Sequence, residues 1–206
     1  MTGVIFDLDG TLLDTLEDLK DAVNATLAKF GYPLRSLEEI RQFVGNGAKV
    51  LIQLAVPKNA DPEPVYDAFR EYYQKNCQVK TAPYPGIAEM LGALKMPVAI
   101  VSNKPDSAVK ALCAEYFPGV YALGDSPDCP RKPAPDMVLK AMKDIGVENC
   151  IYVGDSEVDV ATARNAGVPC LSVLWGFRSE RELREAGATQ FCHDPKDIPS
   201  LIEAMT

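Results

Sequence analysis

Four short stretches hold the residue types that chemistry on a small anion needs. Asp7 and Asp9 stand two apart in Asp7-Leu8-Asp9-Gly10-Thr11, directly after the apolar run Val4-Ile5-Phe6. Residues two apart on an extended chain point to the same side, so both carboxylates can face one ligand. Ser102-Asn103-Lys104 follows Val98-Ala99-Ile100-Val101. Gly154-Asp155-Ser156 follows Cys150-Ile151-Tyr152-Val153, with Asp159 one helical turn further on. Lys132 lies in Arg131-Lys132-Pro133-Ala134-Pro135, ahead of an amphipathic stretch. Gathered carboxylates repel one another unless a cation neutralises them, and hard oxygen ligands suit Mg²⁺. A site combining Mg²⁺, a lysine, a serine hydroxyl and free backbone N–H groups fits chemistry on a phosphoryl group.

These residues can meet only if the elements before them end at one rim. The apolar runs at 4–6, 98–101, 150–153 and 170–173 lack alternation, as expected for parallel strands covered on both faces. Amphipathic stretches at 107–116, 136–145, 158–166 and 180–186 separate the later runs, the pattern of an α/β sheet. Ligands of open parallel sheets bind beyond the carboxyl ends of the strands, where all four stretches fall. Between residues 15 and 82 the strand-like runs vanish. Leu16, Leu19, Val23, Leu27 and Phe30 recur at helical spacing until Gly31 and Pro33. Ser36 and Glu39 form a capping box before Ile40, and a helix is expected after Pro62-Glu63-Pro64. The predicted architecture is a Rossmann-like parallel α/β core, residues 1–14 and 83–206. A helical cap, residues 15–82, is inserted after the first strand, and the crevice between the two is the expected ligand site.

Composition narrows the partners. The 206 residues include 21 Lys and Arg against 29 Asp and Glu, a formal net charge of −8. That balance argues against nucleic acid and anionic membranes, which attract basic surfaces, but leaves a small anionic substrate in a locally cationic pocket open. No apolar run reaches the ~18 residues of a membrane span. Met1 leads almost directly into the first strand, so no cleaved leader is expected. The six cysteines are all at least 16 positions apart, which excludes CxxC zinc and redox motifs and fits reduced thiols in the cytoplasm. His193 is the sole histidine and lies far from the acidic stretches, so no Ser-His or Cys-His catalysis can be assembled.

Taken in order, Asp7-Leu8-Asp9-Gly10-Thr11, Ser102, Lys132 and Gly154-Asp155-Ser156 with Asp159 resemble the four motifs of the haloacid-dehalogenase-like superfamily. The helical insertion sits between the first and second motifs, as in members with a helical cap. Ser102-Asn103-Lys104, Lys132-Pro133-Ala134-Pro135 and Trp175-Gly176-Phe177 are most similar to its phosphoglycolate-phosphatase subfamily. The resemblance spans essentially the whole chain. It implies an Mg²⁺-dependent phosphomonoester hydrolase acting on a small phosphorylated metabolite through an aspartyl-phosphate. Asp7 is implied as nucleophile and metal ligand, Asp9 as acid and base with its carbonyl on the metal, and Asp155 as a further metal ligand. Thr11, Ser102 and Asn103 are implied at the substrate, Lys132 as the neutralising cation, and Asp159 and Ser156 as outer supports.

Several residues admit plainer readings. Asp155 and Asp159 near a helix start could act only as caps. Gly45-Asn46-Gly47 lacks the third glycine of a dinucleotide loop and follows a helix, so it is not one. Arg41 and Lys49 in the cap are expected above the substrate, although surface charge is the plainer explanation of each taken singly. Among functions, a phosphomutase or pyrophosphatase of the same fold is the alternative. A dehalogenase has no use for Asp9, and a non-enzymatic binding module would have lost a catalytic residue, of which none is missing. Monomer and homodimer both remain open.

Overall fold

The computed structural model describes Met1–Thr206. Its centre is β1 (Thr2–Phe6), which pairs in parallel with β4 (Val98–Pro105) on one side and β6 (Asn149–Gly154) on the other. The sheet extends to β5 (Tyr121–Asp125) beyond β4, and to β7 (Cys170–Val173) and β8 (Phe191–Cys192) beyond β6. Its order is β5-β4-β1-β6-β7-β8, and every pairing is parallel. Alternation along β1 explains the two covered faces. Val4 and Phe6 join the cluster that meets α5 (Ile87–Ala93), α6 (Asp106–Tyr116) and α10 (Ile198–Met205). Ile5 points the other way, into the cluster with Met137, Val138 and Ala141 of α7 (Asp136–Asp144) and Ala163 of α8 (Glu157–Ala166). The short α9 (Glu180–Glu185) and a 3-10 turn (Pro195–Asp197) complete the core.

Four helices interrupt this sheet: α1 (Leu16–Lys29), α2 (Leu37–Phe43), α3 (Ala48–Ala55) and α4 (Glu63–Asn76). They bury a cluster of their own around Leu19, Val23, Leu27, Ile40, Ile52, Val65 and Phe69, with Phe177 from the core as its outside contribution. The capping box starts α2 as expected, with Ser36 and Glu39 each bonding the other's backbone. The chain leaves the core through β2 (Leu13–Asp14) and returns through β3 (Ala82–Pro83), and these two pair antiparallel.

The structure corrects the sequence reading in four places. β4 does not stop at Val101 but runs through Ser102, Asn103 and Lys104, with a register break before Pro105. β5, α5 and α10 were not among the expected elements. Arg41 and Lys49 turn away from the crevice: Arg41 pairs with Glu38 at 3.6 Å and Lys49 with Glu63 at 2.6 Å. The first pair lies along α2 and the second bridges α3 and α4, both at partly exposed side chains where long charged chains are readily solvated. Thr11 is fully buried, and its hydroxyl donates to Asp155 rather than into the crevice.

Candidate active site

Asp7 continues the line of β1 by one residue, its N–H donating to the Val153 carbonyl at 2.8 Å. That bond fixes where the carboxylate emerges. Asp7 Oδ1 accepts from the Leu8 N–H at 2.7 Å and lies 2.9 Å from Lys132 Nζ. Lys132 also donates to Asp159 at 2.8 Å and to the Tyr152 hydroxyl at 3.0 Å, which uses all three of its protons. Burial opposes the charge of Lys132, but Asp159 and Asp7 outweigh it and hold the ammonium charged.

Asp159 is fully buried and the most fully bonded carboxylate here. It receives Lys132, the Tyr152 hydroxyl at 3.0 Å, the Ser156 hydroxyl at 2.6 Å and the Ser156 N–H at 3.0 Å. Burial works against its charge, yet Lys132 and these donors prevail and hold it below the usual carboxylate range. Ser156 caps α8 in a reciprocal box with Asp159. The same pair that caps the helix also holds the Lys132 ammonium.

Asp155 is seated between backbones. Its oxygens accept from the Thr11 hydroxyl at 3.0 Å and the Phe177 N–H at 2.7 Å. Gly10, at φ +83°, and Gly176 pass so close that a Cβ on either would strike the Asp155 carboxylate. Glycine is required at both for close approach, and at Gly10 for its backbone as well. Burial, then Asp159, pushes the Asp155 carboxyl up to about 7. Burial and the same neighbour raise Asp7 well above its ordinary value, Lys132 only partly offsetting them.

Oxygens of Asp7, Asp155 and Asp159 lie within 4.8 Å of one another. Asp159 is spent on its own donors, so Asp7 and Asp155 are the carboxylates free to hold a cation. Two buried carboxyls both driven toward protonation are what a divalent ion would relieve, and an all-oxygen donor set suits a hard one. The residues fit a metal. The Asp9 carboxylate stands apart from this cluster, accepting from Lys104 Nζ at 2.7 Å and the Thr15 hydroxyl at 2.6 Å, with Ser102 Oγ at 3.5 Å.

Asp7, Asp9, Ser102, Asn103, Lys132, Asp155 and Ser156 line one crevice with a cavity of about 50 Å³, closed on the far side by Leu19, Leu51, Phe69 and Tyr73 of the helices. Asn103 stitches the two halves, its amide donating to the Gly45 and Lys132 carbonyls at 3.1 and 2.9 Å.

Residues 4–173 match the family model for haloacid dehalogenase-like hydrolases. The chain belongs to the haloacid dehalogenase-like hydrolases. This hydrolase is 36% identical over 218 residues to the phosphoglycolate phosphatase of Rhodobacter capsulatus, covering 99% of this chain and 98% of that protein. It is 34% identical to phosphoglycolate phosphatase 1 of Pseudomonas aeruginosa, over 95% of this chain and 77% of that one. A crystal structure from Lactobacillus delbrueckii subsp. bulgaricus superposes with a TM-score of 0.91 at 36% identity, covering 97% of each chain. This hydrolase is a phosphatase of small phosphate esters. No helix in it is long and apolar enough to cross a membrane.

Four residues in or beside the crevice escaped the sequence reading as site residues: Lys104, Tyr152, Tyr73 and Arg178. Lys104 stands two residues after Ser102 and could have been found by counting cations at strand ends. Tyr152 sits inside an apolar run, where a phenol reads as core. Arg178 follows Trp175-Gly176-Phe177 in a loop, where arginine is ordinarily solvated.

Proposed function

We propose that this hydrolase cleaves a small carboxylate-bearing phosphomonoester, of which phosphoglycolate is the type, with Asp7 as nucleophile and Mg²⁺ as its metal. The observation that carries the reading is the buried contact of Asp7 with Lys132, beside Asp155, at the mouth of β1. Lys132 opposes the protonation that burial and Asp159 favour at Asp7, and a divalent cation there would complete the ionisation of the nucleophile. Held by Asp7, Asp155 and the Asp9 carbonyl, Mg²⁺ would neutralise charge on the phosphoryl oxygens. An Asp7 oxygen attacks phosphorus as the ester P–O bond breaks, and the departing alkoxide takes a proton from Asp9. Water then attacks the aspartyl-phosphate, giving its proton to Asp9, and the bond to Asp7 breaks to release phosphate. Within Asp9, Oδ1 is occupied by Lys104 and Thr15, so Oδ2 carries the proton. Ser102 and backbone N–H groups beside Asp7 orient the phosphoryl oxygens.

The crevice supports the size of the substrate. About 50 Å³ holds on the order of four waters, at ~10–15 Å³ each. The helical block, residues 15–82, acts as the cap that excludes bulk water during transfer. All six cysteines are free thiols, which suits the reducing cytoplasm.

The test is turnover of 2-phosphoglycolate with Mg²⁺ and with chelator, in the wild type and in Asp7→Asn. Asp7→Asn keeps the shape but removes the anionic nucleophile, and turnover falls by at least about a thousandfold with the fold intact. Activity that persists in Asp7→Asn, or under exhaustive chelation, overturns the reading.

A further inference from the structure

The crevice offers a ligand three buried cations, but their donors are not equally committed. Lys132 spends all three protons on Asp7, Asp159 and Tyr152. Arg178 spends its guanidinium on Glu157 and on the carbonyls of Arg41, Gln42 and Val44. Lys104 is different. Its side chain is 4% exposed, and its ammonium meets one acceptor, Asp9 Oδ1 at 2.7 Å. An ammonium carries three protons, so with Asp9 bonded and the Tyr73 hydroxyl alongside, at least one remains for a ligand.

A second observation points to the same place. Tyr73 of α4 lies with its ring centroid 4.9 Å from Lys104 Nζ, lines the crevice, and is buried with no hydrogen-bond partner for its hydroxyl. Buried polar groups are ordinarily paired, and an unpaired hydroxyl beside an under-used ammonium is a vacancy for an acceptor. Around them the cap contributes Leu19, Leu51 and Phe69, which can bond nothing.

We infer that Lys104 and the Tyr73 hydroxyl form a subsite for the substrate's second acidic group, a carboxylate, and set the preference of this enzyme for acidic over neutral esters. The inference rests on the phosphatase reading above and adds to it the residues that choose the substrate. A carboxylate suits the pair because one ammonium and one hydroxyl offer one donor to each of its two oxygens. Lys104 and Tyr73 are specificity residues, distinct from the groups at phosphorus. Lys104 also holds Asp9, so its loss lowers turnover of every ester, and only the ratio between esters isolates the subsite.

The experiment compares kcat/KM for 2-phosphoglycolate and for 2-hydroxyethyl phosphate, its neutral counterpart, in the full chain with Mg²⁺. Wild type favours the acidic ester by at least about tenfold, since a site built for a bonded group rejects an analogue lacking it. Lys104→Met brings the ratio close to one, Lys104→Arg keeps part of it, and Tyr73→Phe lowers it several-fold through KM. Calorimetry on Asp7→Asn reads the subsite without turnover: 3-phosphonopropionate binds more tightly than propylphosphonate, and adding Lys104→Met removes the difference. If Lys104→Met does not fold, Tyr73→Phe, which removes a single oxygen, carries both measurements. Equal losses on both esters with the ratio unchanged would mean that Lys104 only props Asp9, and the inference fails while the phosphatase reading stands. If wild type turns over neither ester the proposed phosphoglycolate-type substrate fails, and the calorimetric difference still decides the subsite.

Discussion

Asp155 and Asp159 are four residues apart on one helix start and have opposite proton affinities. The difference lies in their bonding partners. Asp159 has a lysine and three donors within 3.0 Å, whereas Asp155 has two donors and an anionic neighbour. Its carboxyl, raised to about 7 from an ordinary 3.8, favours a protonated folded state. The sign of the pH effect follows. Between about 4 and 7 the metal-free native protein binds more protons than the unfolded chain, so its stability falls as pH rises through that window. At ~1.4 kcal/mol per pH unit the loss from this group has an upper bound of about 4 kcal/mol. A divalent cation displaces that proton and reverses the loss. Thermal unfolding with chelator should therefore show a lower midpoint at pH 8 than at pH 5.5. Added Mg²⁺ should raise the midpoint more at pH 8. A shift independent of pH would place the metal away from Asp155.

At the level of elements, the most heavily bonded joint between the sheet and the α1–α4 block is a single arginine, beside the lighter Asn103 contact. Arg178, in the loop after β7, pairs with Glu157 at the start of α8 and donates to the carbonyls of Arg41, Gln42 and Val44. Those carbonyls belong to the C-terminal end of α2, where a helix leaves acceptors unpaired and favours a cation. Arg178→Met strands them, and destabilisation of about 1–3 kcal/mol is expected, with faster proteolysis within residues 37–47. Arg178→Lys should recover little, because a lysine is a point charge and not a fork. Denaturant melts and limited proteolysis measure both. Such joints are poorly legible in the sequence. The strands at 98–101, 150–153 and 170–173 announce themselves through mainly apolar runs that lack alternation, and the capping box of α2 through its own spacing. β5 carries Gly124 and Asp125 and has three half-buried members, so it lacks that apolar signature. α5, at seven residues, is too short for its periodicity to stand out. Asp7, Asp9, Ser102, Lys132 and Asp155 were legible because strand ends gather in one place whatever covers them. Arg41 and Lys49 were misplaced because the rotation of α2 and α3 against the core is written in contacts far apart in the chain.

On the scale of the molecule, the apolar interior is divided. Two clusters cover the faces of the sheet, a third belongs to α1–α4 with Phe177 as its borrowed member, and a small fourth joins Val160, Leu183 and Ala188. Phe69, 1% exposed and stacked on Tyr73 at 5.2 Å, lies in the third. Phe69→Ala should cost about 3–5 kcal/mol through the cavity it leaves. Hydrogen exchange should then speed up within residues 16–76 while β1, β4 and β6 keep their protection. Uniform acceleration across the chain would show one cooperative unit instead. The β2–β3 ribbon has a consequence of its own. Because Asp14 and Ala82 face one another, the core sees the intervening residues as a loop whose ends already touch. The closure term grows by only ~0.6 kcal/mol for each doubling of such a loop. Lineages can therefore lengthen, trim or exchange that segment without disturbing the strand ends around Asp7. The chemistry is inherited as one module, and the choice of substrate can drift as another.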